Sequence, residues 1–328
     1  MNRLRSRIVG TGSYLPERVM TNRDLESMVD TNDEWIVSRT GIRERRIAAD
    51  HEATSDLAYE ASRRALDAAG LRPHDLDLVV VATLTPDAPL PATAIYLQHR
   101  LGAKKAAAFD VMAACTGFIY GLSVVDGLIR TGVAKNCLLI GAEVLSRVMN
   151  WTDRGTCIIF GDGAGAAVIV PARGKSGVLS THLYADGGQA DLLCIPGGGS
   201  RINASHEAVD QGLQYVHMKG NETFKLAVKG MAEAAGAALE ANGLTVDDIA
   251  LLVPHQANIR IIEATAQRLH LPMSKVFVNI ERYGNTSGAS IPIALDEAVR
   301  EGRAAPGDLV LLDAFGAGFT WGSALIRW

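Results

Sequence analysis

The sequence predicts an α/β protein built from two copies of one unit. Short apolar runs alternate with longer amphipathic stretches, a pattern typical of a mainly parallel or mixed sheet covered by helices on both faces. Three segments of the first half recur loosely, and in the same order, in the second: 71–80 as 244–253, 126–132 as 296–302, and 136–142 as 308–314. The offset is about 173 residues. We place the join near 171–177, so the predicted halves are residues 1–172 and 173–328.

Capping residues and periodicity assign the elements in order. Residues 7–16 are predicted to form a strand followed by a turn, and the other predicted strands are 76–83, 106–111 and 136–142. The predicted helices are 21–29, 33–40, 55–69, 93–101 and a segment ending at 130. Residues 158–160 and 166–170 are expected to pair as a hairpin around the turn at 161–163. Gly10 and Gly12 suggest a dinucleotide-binding loop, but Leu15 takes the place of its third small residue, and we reject that motif.

Composition narrows the class of protein. A formal charge of -4 and a pI near 6.1 argue against nucleic acid as the main partner. The four cysteines show no C-x-x-C spacing, so we expect reduced thiols and neither disulfides nor a zinc site. Residues 1–10 lack the apolar core of a signal peptide, and no apolar run approaches the length of a membrane span. These features predict a cytoplasmic protein that does not enter a membrane.

Cys115 lies at the point around which the chain is organised. It follows a strand and two alanines and precedes Gly117 and a helix. Backbone N–H groups and the helix dipole at such a position favour a thiolate, and small neighbours allow a substrate carbonyl to approach. A small buried hydrophobic residue is the plain alternative, so the nucleophile hypothesis depends on catalytic partners elsewhere.

The second copy supplies two such partners. His255 follows the apolar strand 251–253, and the ends of such strands are where ligand sites form. His255 is a candidate base or hydrogen-bond donor to an oxyanion. A structural role is the plain alternative, since most of the eight histidines must be structural. Asn285 opens a helix near the position that Cys115 holds in the first copy, where a plain capping role is the alternative. The duplication predicts that the three residues face one another. Residues 313–320 are a third candidate element, because their small side chains would let backbone N–H groups approach a carbonyl; a tight turn is the plain alternative.

These motifs together resemble one family. The segments 114–117, 254–258, 284–287 and 315–322 closely match β-ketoacyl-acyl carrier protein synthase III, and the match extends to 33–36 and 39–42 near the start of the chain. This family initiates bacterial type II fatty acid synthesis. The resemblance implies a thiolase-like fold, with duplicated α/β halves in α-β-α-β-α layers, and a homodimer.

The resemblance implies a decarboxylative Claisen condensation in two stages. Cys115 takes the acyl group of a short acyl-CoA, most often acetyl-CoA, as a thioester. Malonyl-acyl carrier protein then loses carbon dioxide, and the carbanion attacks the acyl group while His255 and Asn285 donate to the thioester oxygen. The backbone N–H groups of Cys115 and Ala317 would form the oxyanion hole for acyl transfer. No metal or cofactor is expected, because acyl-CoA is a substrate.

Substrate-binding residues follow from the same resemblance. Trp35 and Arg154 match the pair that sandwiches the adenine of CoA. The other positions matched to CoA contacts are Arg39, Thr40, Gly220, Asn221, Phe224, Ala257 and Asn258. Those expected at the acyl pocket are Leu90, Leu145, Phe160 and Phe315. Those expected to meet the acidic carrier protein are Lys225, Gln256, Arg260 and Arg268, while Gln267 replaces a further basic residue of that patch.

Several positions qualify the resemblance. Leu90 stands where acetyl-specific relatives carry a phenylalanine that caps the acyl pocket of the other subunit, which leaves room for branched or longer primers. Ala317 replaces a glycine, which requires that its φ be negative. Thiolases carry a histidine and a second cysteine for non-decarboxylative chemistry, whereas Asn285 indicates the decarboxylative branch. Arg45 and Arg46 are expected on the solvated surface.

Three other functions compete with this one. The first is a condensing enzyme of the same fold that uses a longer or aromatic primer in a secondary-metabolite pathway. The second is a cysteine hydrolase that uses Cys115 and His255 as nucleophile and base, against which Asn285 and the match to the CoA tunnel argue. The third is a non-catalytic protein that binds CoA or a carrier protein, which the complete set of cysteine, histidine and asparagine disfavours.

Overall fold

A computed structural model describes residues 4–328. Residues 1–3, part of the stretch searched for a signal peptide, lie outside the described residues. The strands β1–β13 are Leu4–Tyr14, Arg18–Thr21, Glu44–Ile47, Leu78–Ala82, Ala107–Val111, Cys137–Glu143, Gly163–Arg173, Gly177–Ala185, Leu193–Cys194, His217–Met218, Leu251–Pro254, Leu309–Gly316 and Thr320–Arg327. The helices α1–α11 are Asn22–Glu26, Asp33–Thr40, Thr54–Ala69, Thr93–Leu101, Gly117–Arg130, Arg154–Cys157, His206–Asp210, Gly220–Ala241, Ile259–Arg268, Ile280–Tyr283 and Ser290–Arg300.

Two mixed sheets repeat one strand order. In the first, β1-β7-β6-β4-β5, strand β4 is parallel to β5 and β6, and β7 is antiparallel to β6 and β1. In the second, β8-β13-β12-β11, strand β11 is parallel to β12, and β13 is antiparallel to β12 and β8. Val276 makes a parallel bridge to Leu252 of β11, on the side where β5 pairs with β4 in the first sheet. The predicted division at residues 172 and 173 falls at the end of β7.

Five layers of secondary structure bury the apolar faces. Helices α5 and α11 lie between the sheets, where Phe118 and Leu295 join Leu139 of one sheet and Leu312 of the other in a single cluster. Helices α3 and α4 cover the outer face of the first sheet, and α8 and α9 cover that of the second. Burial of these apolar faces is the main force that holds the layers together. The α-β-α-β-α architecture agrees with the predicted fold class.

Most predicted elements are confirmed, and one is wrong. The helices predicted at 33–40 and 93–101 match α2 and α4, and Gly41 ends α2 in the left-handed conformation (φ 79°). The hairpin predicted at 158–170 does not form. β7 pairs instead with β1 and β6, and Phe160 makes an isolated bridge with Asn285, so this loop is attached to the second half.

The rejected dinucleotide glycines have a packing role. A Cβ at Gly10 would lie 2.4 Å from the carbonyl oxygen of Ala65, and one at Gly12 would lie 2.4 Å from the nitrogen of Ala65. The absence of side chains therefore lets α3 pack directly on β1. Among residues 4–328, no helix combines the length and apolarity needed to cross a bilayer.

Candidate active site

Strand β5 and helix α5 hold Cys115 in the turn between them. Residues 114–116 form a single 3-10 turn, and Ala114 adopts φ 46°, a left-handed conformation that is costly for a residue with a Cβ. A Cβ at Gly316 would lie 2.8 Å from the Cys115 nitrogen, so this glycine lets the end of β12 press against the turn. Cys115 is consequently buried, with 6% of its surface exposed.

The second half contains a matching turn before α11. Residues 287–289 form a 3-10 turn, and Ser287 adopts φ 48°, nearly the value of Ala114. Because each turn begins at its left-handed residue, Gly288 occupies the position that Cys115 holds in the first half, and Asn285 precedes that position by three residues. A Cβ at Gly288 would lie 3.2 Å from the Ala114 carbonyl oxygen, so the two turns are closely packed.

One cavity joins the three candidate catalytic residues. Cys115, His255 and Asn285 all line a cleft of about 500 Å³. The cleft is bounded by the nucleophile turn, the segment after β11, the turn before α11 and the first residues of α8. The sequence predicted that these side chains face one another, and the fold gives them a common space in which to meet a substrate.

The resting nucleophile is a neutral thiol. Burial raises the pKa of Cys115 to about 12, and the nearby Glu143 carboxylate raises it further. The helix dipole contributes only about 0.3–1 kcal/mol, which is less than the cost of desolvating a thiolate. The expectation that this position favours a thiolate is therefore wrong for the resting enzyme.

Ser287 is the polar neighbour of the thiol. Its hydroxyl group is near enough to lower the pKa of Cys115. It does not reach the distance and angle of a formed hydrogen bond to the sulfur, or to any other group among the described residues. The hydroxyl can therefore rotate toward a thiolate when one forms.

His255 is neutral and held at both its backbone and its ring. The backbone N–H donates to the Asp313 carbonyl at 2.7 Å, which fixes the residue beside β12. His255 is 1% exposed, and burial lowers its pKa to about 3. Ring atom Nδ1 lies 2.6 Å from Ser290 Oγ. A neutral imidazole at neutral pH suits a hydrogen-bond donor to a developing oxyanion.

Local hydrogen bonds determine which end of the Asn285 amide is free. The side-chain oxygen accepts from the Ser287 N–H at 2.8 Å, which leaves the NH₂ group for the cavity. The Asn285 backbone donates to the Ile159 carbonyl at 2.9 Å and accepts from the Gly161 N–H at 3.0 Å. Asn285 is therefore a rigidly held double donor.

Glu143 is a buried residue of the site that sequence reasoning missed. Its carboxylate accepts from the Thr85 hydroxyl at 2.7 Å, from the Leu84 N–H at 3.1 Å and from the Gly288 N–H at 3.4 Å. Burial raises the pKa of Glu143 to about 7, although these hydrogen bonds lower it. The sequence signal was a lone carboxylate at the end of the apolar strand β6. The group joins the loop after β4 to the turn before α11.

The mouth of the cavity carries the residues expected to contact CoA. The Arg154 guanidinium lies 4.8 Å from the ring centroid of Trp35, and that of Arg39 lies 5.8 Å from it. Both are distances at which a cation and an indole attract each other. Thr40 is buried, and its hydroxyl donates to the Ile36 carbonyl. All the other positions matched to CoA contacts line the cavity as well: Gly220, Asn221, Phe224, Ala257 and Asn258.

The residues expected at the acyl pocket fall into three groups. Phe160 and Phe315 line the cavity directly. Leu145 is buried against Phe160 and does not itself line the cavity. Leu90 is 84% exposed, on the loop after β4, so within one chain it takes no part in the pocket.

The positions expected to meet the carrier protein are not all at the surface. Lys225 and Arg260 line the cavity, Arg260 lies over the Phe224 ring at 5.6 Å, and Arg268 is exposed at the end of α9. Gln256 is 1% exposed, and its amide donates to the Phe277 carbonyl at 3.1 Å. The expectation that Gln256 contacts the carrier protein is therefore wrong, because its side chain braces the segment after β11.

Arg45 also departs from its expected place. It is fully buried, and it donates to the Ile158 carbonyl at 2.7 Å and to the Asn22 side-chain oxygen at 2.9 Å. Burial lowers the pKa of Arg45 to about 10. Arg46 is partly buried, and it donates to the Pro16 carbonyl at 3.1 Å. Neither arginine is the freely solvated residue that was expected.

Comparisons with known proteins agree with this geometry. Residues 109–187 match the sequence profile described as 3-oxoacyl-[acyl-carrier-protein (ACP)] synthase III, and residues 239–328 match the profile of its C-terminal part. The β-ketoacyl-[acyl-carrier-protein] synthase III of Caldanaerobacter subterraneus subsp. tengcongensis is 56% identical over 98% of this chain and 97% of its own. That of Xanthomonas campestris pv. campestris is 56% identical over 99% of both chains.

Solved structures support the same assignment. The crystal structure of 3-oxoacyl-[acyl-carrier-protein] synthase III from Aquifex aeolicus VF5 matches with a TM-score of 0.91 and 50% identity, over 98% of this chain and 100% of that one. Identity at this level over nearly the whole length, together with a cysteine, a histidine and an asparagine in one cavity, identifies the chain. It is an acyl-transferring condensing enzyme that belongs to the β-ketoacyl-[acyl-carrier-protein] synthase III family.

Proposed function

We propose that the enzyme condenses a short acyl-CoA, with acetyl-CoA as the first candidate, with malonyl-acyl carrier protein to give 3-ketoacyl-acyl carrier protein, CoA and carbon dioxide. The observation that carries the proposal is the single cavity that Cys115, His255 and Asn285 line, with Trp35 and Arg154 at its mouth. This reaction would initiate fatty acid biosynthesis. It needs no cofactor, because acyl-CoA is consumed as a substrate.

The first half-reaction transfers the acyl group to Cys115. The sulfur attacks the thioester carbonyl, the bond between the carbonyl carbon and the CoA sulfur breaks, and the thiol proton ends on the released CoA. The Ala317 N–H has no protein acceptor among the described residues, and with the Cys115 N–H it would hold the carbonyl oxygen. The φ of Ala317 is not positive, as its replacement of glycine requires.

The second half-reaction forms the carbon–carbon bond. The malonyl carboxylate leaves as carbon dioxide, and its electron pair passes into the thioester as an enolate whose carbon attacks the acyl-cysteine. His255 and Asn285 donate to the malonyl thioester oxygen, where negative charge develops. The bond to Cys115 sulfur then breaks and regenerates the nucleophile. Neither donor is charged, so neither holds the carboxylate that must leave.

The partners follow from the same surface features. Lys225 and Arg260 at the cavity and the exposed Arg268 at the end of α9 supply basic groups for an acidic carrier protein. We propose a homodimer through β5, which is an edge strand of the first sheet, since the exposed Leu90 and Met112 lie near that edge. Leu90 would then reach the acyl pocket of the second copy.

All four cysteines are unpaired, which fits a cytoplasmic location.

Mass spectrometry tests the proposal. The protein is exposed briefly to acyl-CoAs from acetyl to octanoyl, and we expect an acyl adduct on Cys115 that the Cys115→Ser variant lacks. The chain length of the adduct names the primer and separates this function from condensation of a longer primer. Malonyl-acyl carrier protein should then discharge the adduct as a 3-ketoacyl product. Hydrolysis without that product would instead support a cysteine hydrolase.

A further inference from the structure

Ser290, the first residue of α11, connects the catalytic histidine to the backbone. It is 2% exposed, and its Oγ lies 2.6 Å from Nδ1 of His255. The same oxygen accepts a hydrogen bond from the Gln256 N–H at 3.2 Å. Ser290 was not singled out by sequence reasoning, because a serine at the start of a helix is ordinary.

The hydrogen-bond partners of Ser290 favour one position for the ring proton of His255. Ser290 Oγ already accepts from Gln256, so its own proton needs an acceptor. Among the described residues, the only other hydrogen-bond partner of Ser290 Oγ is Nδ1 of His255. Nδ1 can accept that proton only if it is unprotonated, and the hydrogen of a neutral imidazole then lies on Nε2.

The opposite tautomer fits poorly. With hydrogen on Nδ1, Ser290 Oγ would accept from both Gln256 and His255, and its buried hydroxyl proton would be left without a partner. Nε2 would then present a lone pair to the thioester oxygen of the proposed reaction, and two acceptors repel each other. A buried unsatisfied hydroxyl and a repulsive contact both disfavour this arrangement.

We propose that Ser290 is a positioning residue that holds His255 in its Nε2–H tautomer and so makes it a hydrogen-bond donor to the substrate. This inference rests on the proposed function, and it extends that function to a residue that does not touch the substrate. Burial, which lowers the pKa of His255, keeps the ring neutral. Ser290 then determines which nitrogen of that neutral ring donates.

Hydrogen bonds to the Gln256 side chain hold its backbone in place beside Ser290. Its side-chain amide donates to the Pro254 carbonyl at 2.9 Å, and its side-chain oxygen accepts from the Asn279 N–H at 3.0 Å. Gln256 therefore holds its own N–H toward Ser290. The residue first expected to meet the carrier protein has a place in this chain of donors, which runs from Gln256 through Ser290 to His255.

Nitrogen NMR of the resting enzyme tests the tautomer directly. In protein labelled with ¹⁵N-histidine, the His255 signals are identified as those absent from His255→Asn. We expect a pyridine-type shift for Nδ1 and a pyrrole-type shift for Nε2 of His255 at pH 7. A pyrrole-type Nδ1 in the wild-type enzyme would overturn the proposal. Because no substrate is present, this result is independent of whether the proposed condensation is correct.

Variants of Ser290 test its contribution. In Ser290→Ala we expect a mixture of tautomers and a fall in kcat for condensation of about tenfold, the effect of one lost hydrogen bond, with KM little changed. Ser290→Cys, which retains a weak donor, should recover part of the Nε2–H tautomer population and part of the lost kcat. Ser323→Ala removes another buried serine hydroxyl, one that donates to the Ala234 carbonyl outside the cavity, and it should leave the tautomer unchanged. Retention of the pure Nε2–H tautomer in Ser290→Ala would overturn the role of Ser290.

Discussion

Replacing Asn285 by aspartate changes one atom of the proposed donor pair. The carboxylate keeps the oxygen that accepts from the Ser287 N–H at 2.8 Å, but it replaces the NH₂ group with a second oxygen. At pH 8 that oxygen faces the developing enolate without a hydrogen to donate. Loss of one oxyanion donor typically costs about 100- to 1,000-fold in kcat, or about 2.7–4 kcal/mol. We expect condensation by Asn285→Asp to fall by at least that factor.

The rate of condensation by Asn285→Asp should also depend on pH. A carboxyl group introduced at this buried position should have a raised pKa, and its protonated form can donate a hydrogen bond. Condensation by Asn285→Asp should therefore increase from pH 8 to pH 6. Acylation of Cys115 by the primer should remain near the wild-type rate, because Asn285 is assigned to the malonyl thioester. The two half-reactions can be measured separately by mass spectrometry and by release of carbon dioxide.

Two outcomes would refute this reasoning. The first is condensation at pH 8 within about threefold of wild type, a factor too small for the loss of an oxyanion donor. The second is a loss of Cys115 acylation equal to the loss of condensation, which would mean that Asn285 supports the nucleophile turn as a whole. Circular dichroism of the variant checks that its fold is intact.

Three further predictions follow from the buried groups and the exposed loop. Burial raises the pKa of Cys115 to about 12, so alkylation by iodoacetamide should increase about tenfold per pH unit from pH 7 to 10; a plateau near pH 8.5, the ordinary cysteine value, would contradict it. Burial also raises the pKa of Asp313, whose carboxylate oxygens have no partner among the described residues. Above about pH 4 the unfolded state releases the Asp313 proton, whereas the folded state keeps it until the raised pKa is reached. Over that range the contribution of Asp313 to the free energy of unfolding falls as pH rises. In urea unfolding, the free energy of unfolding of Asp313→Asn should rise relative to that of wild type by up to about 1.4 kcal/mol per pH unit above that pH. If the difference between the two proteins stays constant with pH, Asp313 is ionised in the folded state. Leu90→Phe should shift the Cys115 adduct toward acetyl in competition among acyl-CoAs, if the loop of a second copy caps the pocket; an unchanged adduct distribution would exclude that role.

Local pattern was sufficient for much of the fold. Helices α2 and α4 were predicted to the residue, because Asn32 caps the start of α2 and a left-handed glycine, Gly41 or Gly102, ends each helix. The duplicated order of segments anticipated two sheets with one strand order. The hairpin at 158–170 was wrong because Phe160 bridges to Asn285, a contact 125 residues away that no local pattern encodes.

The wrong predictions about side chains share one cause. Arg45 and Gln256 carry side chains that are usually solvated, yet both are buried where carbonyl groups accept their hydrogens. The thiolate expected at Cys115 followed from its position before a helix. Burial between the two halves outweighs that local effect. Desolvation depends on which distant segments cover a group, so residue type and neighbouring sequence do not determine it.

The sequence by itself determined the family, the order of the elements and the identities of the cysteine, histidine and asparagine. It did so because motifs and periodicity are local features that can be recognised in the sequence alone. Only the tertiary structure decided the state in which those residues act. It made Cys115 a neutral thiol, freed the NH₂ group of Asn285 and placed Ser290 against Nδ1 of His255. Protonation and donor direction are set by burial and hydrogen-bond partners, and these come from segments that are distant in the chain.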